Sequence, residues 1–478
     1  MGQHIKLIFS LFFLINIIIT ILIIILERKR PEKTIAWLLI IVFMPPIGLL
    51  FYIFLGRNWK RYKLSDDFNP LVKELINYTI RSTENPKYMP LMKLLGKNSE
   101  SPVFLNNEIT IFKDGIEKFE ALKYELLRAK NHIHLEYYIV KNDNIGNEIK
   151  DILIQKAQEG VNIKFILDRV GSIKLGKKYI KDLKESGIEV LQYSYFLAPI
   201  LSSINTQINY RNHRKIVVID GETSFVGGIN IGDEYLGKGE LGYWRDTHLM
   251  IKGNFTLGLQ AIFLDDYITI KKTVKDYRFD DKNIEEYFSP SKFYAGKTMQ
   301  MVKSGPDSSQ PSIMQAIIKM ISMAKNHIYI TTPYFIPSES IMEALKIASL
   351  SGIDVRILFP GQYDHFIVYY ASRTYLYELM KCGAKVYFYD KNSFIHAKTI
   401  TVDGEIASVG TANIDIRSFE LNYEINAIIY DEEKTQELER LFEKDLEKSI
   451  MIGTDYYENL PRTIKFIEAV TRLFSYLL

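Results

Sequence analysis

Two histidines in this chain each stand two residues before a lysine and seven before an aspartate. The first set is His213, Lys215 and Asp220, followed by Gly227, Gly228 and Asn230. The second is His396, Lys398 and Asp403, followed by Gly410 and Asn413 at the same spacing. A lone His-x-Lys is common and means little; two copies with matched companions are a duplicated site. An imidazole exchanges protons near neutrality and can attack phosphorus, while an ammonium and an amide N–H suit phosphate oxygens. No carboxylate cluster of metal-ligand spacing accompanies either set, so neither a metal nor another cofactor is expected.

Something must aim each histidine. After His213 come Ile216–Ile219, then Asp-Gly-Glu and a second apolar run, and Thr399–Val402 is followed in the same way. This pattern predicts a strand, a tight Asp-Gly turn and a return strand in each copy. Side chains alternate along a strand, so each His and Lys share a face. Asp220 and Asp403, an odd step away, start the turn and are better placed to hold the loop than to do chemistry. Gly227, Gly228 and Gly410 are expected to let backbone approach a ligand, with Asn230 and Asn413 donating to it.

The duplication extends beyond the motifs. Ala129-Lys-Asn-His-Ile133 recurs as Ala324-Lys-Asn-His-Ile328, Gly160-Val-Asn-Ile-Lys as Gly352-Ile-Asp-Val-Arg, and Gly187-Ile-Glu-Val as Gly383-Ala-Lys-Val. Leu122–Lys130 reads as helix, His132–Val140 as strand, Ile145–Glu159 as amphipathic helix and Val161–Leu167 as strand. Strands alternating with helices imply two α/β units, each with a mixed, largely parallel sheet flanked by helices. If the halves pack about a pseudo-twofold axis, both histidines meet in one cleft.

The chain has 478 residues, enough for two or three domains, and a net charge of only +3, which argues against a nucleic-acid coat. Its single cysteine, Cys382, forms no intrachain disulfide or thiolate zinc site, fits a reducing compartment, and precedes Gly383 at a helix end, where packing is its expected role. Ile5–Leu26 is almost wholly apolar and long enough to cross a bilayer; no small-x-small cleavage site follows. A second run, Thr34–Leu55, carries Pro45-Pro46, which would kink it, with Trp37 and Tyr52 towards its ends and Trp59 just outside. Two spans make a transmembrane hairpin; a re-entrant or buried core hairpin is the competing reading. Charge barely decides its orientation: Arg28, Lys29, Arg30 and Lys33 in the loop face Lys6, Arg57, Lys60, Arg61 and Lys63. The expected division is 1–57 hairpin, 58–102 connector, 103–295 first domain and 296–478 second domain. Pro461–Leu478 is amphipathic, either packed on the second domain or lying on a membrane surface.

The doubled motif resembles the two HxKxxxxD signatures of the phospholipase D superfamily. The stretches His134-Leu-Glu-Tyr-Tyr-Ile139, Leu167-Asp-Arg-Val-Gly-Ser172, Thr332-Pro-Tyr-Phe-Ile-Pro337 and Asn413–Glu424 look like bacterial cardiolipin synthases, as does the N-terminal Pro-Pro-x-Gly…Phe-Leu-Gly-Arg pattern. This resemblance covers essentially the whole chain. It implies transfer of a phosphatidyl group from one phosphatidylglycerol to another, releasing glycerol, through a covalent phosphatidyl-histidine. It places the nucleophile on His213 and the acid/base on His396, a choice that sequence symmetry leaves open. An acidic residue downstream of each motif orients the histidine in such enzymes; Asp246 and Glu424 match. The implied setting is the bacterial inner membrane, multi-pass, with cytoplasmic catalytic domains and lipid partners; no nucleic acid is expected. A hydrophobic loop, Tyr193–Asn209, is expected to act as a lid against water. Alternatives are a membrane-bound phospholipase D or nuclease, a transferase with another alcohol acceptor, and a degenerate lipid-binding protein, the last opposed by four intact His and Lys residues.

Overall fold

The computed structural model describes residues 86–193, 210–271, 284–288 and 294–475 throughout, residues 70–82, and positions scattered between 11 and 52. Packing divides the chain into two units, Met1–Tyr62 with Tyr195–Tyr210, and Lys63–Ser194 with Arg211–Leu478. The expected lid, save its first residue Tyr193, lies outside the described residues.

In the larger unit the first repeat supplies β1 (Val103–Asp114), β2 (His132–Tyr137), β3 (Asn162–Asp168), β4 (Glu189–Tyr193), β5 (Arg211–Asn212), β6 (Lys215–Ile219), β7 (Thr223–Gly227) and β8 (Tyr243–Gly253). The second supplies β9 (Lys297–Ser304), β10 (His327–Thr331), β11 (Phe335–Ile336), β12 (Asp354–Phe359), β13 (Lys385–Phe388), β14 (Ser393–Ile395), β15 (Thr399–Val402), β16 (Ile406–Gly410), β17 (Ile414–Asp415), β18 (Asn422–Ile429) and β19 (Ile450–Ile452). The main ladder runs β4-β3-β2-β6-β7-β8-β1 through the first repeat and β9-β18-β16-β15-β10-β12-β13 through the second. β1 and β9 pair antiparallel at the seam, so one sheet runs through both repeats.

The sheet is mixed, as expected, but not largely parallel. Parallel pairing within the main ladder is confined to β2-β3-β4 and β10-β12-β13, where helices cross over; the short parallel pair β11-β17 stands apart from it. The remaining pairs of the main ladder are antiparallel, because each motif is a hairpin whose return leads into a further antiparallel strand. Three apolar cores follow from this. One lies between the first repeat's sheet and its helices, around Phe119, Leu153 and Phe165, and one is its counterpart in the second repeat. The third is shared, with Ile216, Val226 and Leu249 meeting Val409, Ile425 and Ala427.

Local boundaries follow the caps. The first helix of the repeat begins at Gly115, earlier than the apolar pattern indicates, because the Asp114 carboxylate accepts from Glu117 N–H. Asp143 likewise caps Asn144–Gln158. β2 stops at Tyr137, short of Val140, which keeps only an isolated bridge to Ile231.

The smaller unit departs from the expected transmembrane hairpin of two spans, the second of them kinked. Pro31–Phe43 is helical, and the chain bends at Met44. Trp37 and Tyr52, expected near opposite ends of one helix, touch edge to face at 5.4 Å. A Cβ on Gly48 would lie 2.6 Å from the Ile40 carbonyl oxygen, so the missing side chain permits the close return. The second apolar run therefore brings Gly48 and Tyr52 back against Ile40 and Trp37. Most of Ile5–Leu26 falls outside the described residues. Among the described residues no helix is long and apolar enough to cross a membrane.

Candidate active site

Each motif is a hairpin of the expected form. The turn after β6 closes with Glu222 N–H donating to Ile219 O at 3.0 Å, with Asp220 and Gly221 at φ 53° and 65°. The second turn matches it, with Asp403 at 56° and Gly404 at 69°. An aspartate tolerates this left-handed backbone better than most residues. Its carboxylate also ties the turn to the start of a neighbouring strand. Asp220 accepts the N–H groups of Lys130, Asn131 and His132 at 2.7–2.9 Å. Asp403 does the same for Lys325, Asn326 and His327 at 2.8–2.9 Å. The repeated Ala-Lys-Asn-His is thus the other half of this clasp. Each aspartate lies five positions beyond its lysine, roughly 17 Å along the strand, so these carboxylates work on the fold and stand away from the imidazoles.

The two histidines are pinned across the repeats. β5, just before His213, pairs parallel with Asn422–Tyr423 at the start of β18, and His213 N–H donates to Tyr423 O at 3.0 Å. β14, just before His396, pairs parallel with Tyr243–Arg245 at the start of β8, and His396 N–H donates to Arg245 O at 2.7 Å. The acids are exchanged accordingly. His213 Nδ1 meets Glu424 at 2.9 Å, and His396 Nδ1 meets Asp246 at 2.7 Å. Each carboxylate is fully buried and comes from the other repeat's strand.

Lys215 Nζ donates to His213 O at 2.7 Å, and Lys398 Nζ donates to His396 O at 2.6 Å while lying 3.1 Å from that ring's Nδ1. Burial pushes the His213 imidazole down to about 4 and Lys215 to about 7. His396 is also held below its ordinary value, by burial and then by Lys398; burial lowers Lys398 in turn. Burial pushes Glu424 upward, but His213, Lys215 and the Thr411 hydroxyl hold it below the usual carboxylate value. The charge of Lys398 reaches His213 and Lys215, and both carboxylates reach both lysines, so the copies form one site.

The small residues serve a different purpose from the one expected of them. A Cβ on Gly228 would fall 2.1 Å from the Asp246 carboxylate, and one on Gly410 would fall 2.3 Å from Asn426 Oδ1. They make room for the acid-bearing strand, not for a ligand. Asn230 is buried and engaged: its amide donates to Tyr235 OH at 2.8 Å and accepts from Ile139 N–H at 3.2 Å. Asn413 keeps a buried Oδ1 without a hydrogen-bond partner. Among the described residues no cluster of His, Cys, Asp or Glu could hold a metal.

Sequence reasoning missed several neighbours. Thr411 stands at the position of Gly228 and donates its hydroxyl to Glu424; Asn422 donates to the same carboxylate at 3.1 Å. Tyr138 packs edge-on to His213 at 4.8 Å, while Trp244 and Tyr235 lie 5.3 and 5.8 Å from His396. Lys118, fully buried, donates to Tyr137 OH at 3.0 Å and faces Asp246. The offset between copies marks Thr411, and adjacency to Asp246 marks Trp244; nothing in the sequence marks Lys118.

Residues 122–244 and 317–446 match the family described as "Cardiolipin synthase, PLD-like domain", and residues 14–57 match "Phospholipase D-nuclease N-terminal". The chain is 43% identical to the cardiolipin synthase of Geobacillus kaustophilus, over 98% of this chain and 94% of that protein. It is 42% identical to the major cardiolipin synthase ClsA of Bacillus subtilis, over 98% of both. Among solved structures, the phosphatidylserine synthase of Haemophilus influenzae aligns with a TM-score of 0.60 at 16% identity, covering 82% of this chain and 98% of that one, a likeness of fold.

Proposed function

Since the chain belongs to the cardiolipin synthase family of the phospholipase D superfamily, and so is a phosphatidyltransferase, we propose that it joins two phosphatidylglycerols through a phosphatidyl-histidine on His213. The crossed pairs, His213 with Glu424 and His396 with Asp246, carry this reading. A carboxylate on Nδ1 fixes each tautomer and leaves Nε2 as the reactive nitrogen. His213, neutral above about pH 4, is ready to attack. Its Nε2 bonds to the donor phosphorus as the bond to the glycerol headgroup oxygen breaks. His396, protonated as the anionic phosphodiester arrives, gives that oxygen its proton and glycerol leaves. Neutral His396 then takes the proton from a terminal headgroup hydroxyl of the second lipid. That oxygen attacks phosphorus, His213 departs, and cardiolipin forms. Lys215 and Lys398, with the amide of Asn413, offset charge on the non-bridging oxygens, while Asn230, engaged by Tyr235 and Ile139, supports the site from behind. One phosphodiester replaces another, so no nucleotide is consumed.

The N-terminal unit supports a membrane setting. With the second apolar run doubled back, Ile5–Leu26 is the anchor and the second run a re-entrant arm, in place of a two-span hairpin. Arg28, Lys29, Arg30, Lys33, Arg57, Lys60, Arg61 and Lys63 then share one side against Lys6, which favours a cytoplasmic catalytic unit. Purified full-length protein given phosphatidylglycerol labelled in phosphorus tests the reading. Cardiolipin and glycerol are expected, with an acid-labile, base-stable label on His213 after rapid quenching. Phosphatidic acid as the sole product would establish a hydrolase, and label on His396 would reverse the two roles.

A further inference from the structure

The last helix, Arg462–Leu473, buries only part of its apolar surface: Ile464, Ile467 and Val470 are half-buried, and its largest apolar side chains stay outside. Its buried positions are Glu468 and Thr471, followed by Ser475, all polar. Its outward positions include Phe466 and Leu473, 70% and 80% exposed, with Phe474 beyond them at 47%. An amphipathic helix normally buries its apolar stripe, the larger source of stabilisation. Here half-buried Ile464 and Ile467 share the inner side with ion pairs. Glu468 meets Arg373 at 2.8 Å, and Arg472 meets Glu378 at 2.5 Å while its guanidinium lies over Tyr375 at 4.5 Å.

Arg373 and Glu378 lie on the helix Phe366–Met380, and both pairs rise in the same order, so the two helices run parallel. Phe466 therefore lies towards the end at which Phe366 begins. That end carries exposed aromatic and aliphatic side chains as well: Tyr363, Phe366 and Ile367 are 43–48% exposed. It is also the rim of the active site, because Asp364 accepts the Tyr334 hydroxyl and its charge bears on His396 and Lys398. Exposed apolar side chains thus stand both at the catalytic rim and on the outward face of the last helix.

We propose that this outward face of Arg462–Phe474, together with Tyr363, Phe366 and Ile367, seats the catalytic rim on an anionic lipid surface. The choice of occupant rests on the lipid substrate of the preceding reading and on charge. The helix's one acid, Glu468, is turned inward onto Arg373, while Arg462 and Lys465 stay exposed beside Phe466. Aromatic and aliphatic groups flanked by cations insert at the headgroup boundary of a negatively charged bilayer. A donor lipid could then reach the histidines without leaving the membrane.

The experiment uses full-length protein in vesicles of phosphatidylglycerol and phosphatidylcholine. The double variant Phe466→Asp with Leu473→Asp is expected to lose about tenfold or more of its turnover on long-chain phosphatidylglycerol. Its turnover of a water-soluble short-chain phosphatidylglycerol is expected to stay within about twofold, and Phe466→Leu with Leu473→Met to keep both activities. Equal loss on both substrates, or no loss, would overturn the proposal. A second readout needs no activity: a nitroxide on Phe466→Cys in a Cys382→Ala background should favour oxygen over an aqueous nickel chelate in phosphatidylglycerol vesicles. A label open to nickel there, or one buried in detergent in proportion to protein concentration, as under a second copy, would equally overturn it. Failure of the parent chain to make any cardiolipin, with the label buried in the bilayer, would sink the functional reading and leave the docking face standing.

Discussion

At the residue scale the site depends on two imidazole–carboxylate pairs and two buried lysines. Replacing Glu424 by Gln, or Asp246 by Asn, keeps the shape and removes the charge that steadies the imidazole. Each is expected to reduce kcat by roughly 10²–10⁴-fold, as loss of an orienting carboxylate does elsewhere, with secondary structure by circular dichroism unchanged. The lysines make a pH prediction with a definite sign. Lys215, lowered to about 7, is charged below that pH and neutral above it, so kcat/KM, which reports the free enzyme, should fall as pH rises through about 7. Bound phosphodiester favours the charged form, so kcat should hold to higher pH; a kcat/KM flat to pH 9 would remove Lys215 from phosphate binding. His213, already neutral above about 4, contributes no acid limb near neutrality. The offset of the repeat pointed to the histidines and lysines, while Asp246 and Glu424, which do not share that offset, came only from the family resemblance. The sequence could not disclose which carboxylate serves which histidine, since partnership across the seam is a property of strand pairing between segments some two hundred residues apart.

At the element scale the hairpins and their clasps hold those residues in register. Asp220→Ala or Asp403→Ala removes an acceptor for three backbone N–H groups, and about 2–4 kcal/mol of stability should be lost. Per folded molecule, kcat should change far less than in Glu424→Gln; chemical denaturation and active-site titration together check both. Gly228→Ala places a methyl group against Asp246, and about a tenfold or larger loss of kcat is expected without a matching loss of stability. The hairpins were legible because Asp-Gly between β-forming runs has one dominant meaning. The glycines after them were misread: smallness marks a close approach, and the sequence does not say what approaches. The same limit applies to Thr34–Leu55, where hydropathy reports apolar length but not the reversal that Gly48 permits.

At the scale of the whole molecule the two repeats share a sheet, a core and an active site. The β1–β9 seam and the crossed short strands give neither repeat a complete set of partners alone. Unfolding of the catalytic unit in urea is therefore expected to be one cooperative transition, with probes placed in residues 103–253 and 297–452 giving coincident midpoints. Two separated midpoints would show repeats of independent stability. The α/β class was readable from alternating elements, yet the balance of parallel and antiparallel ladders was not, because the hairpins and the β8 and β18 returns outnumber the crossovers. The crossed carboxylates carry one more consequence. A single-motif forebear built on this plan would hold a histidine whose acid belongs to someone else, inert alone and competent only as a pair. Fusion of two such copies makes that dependence permanent, and thereafter neither can drift without disarming its twin.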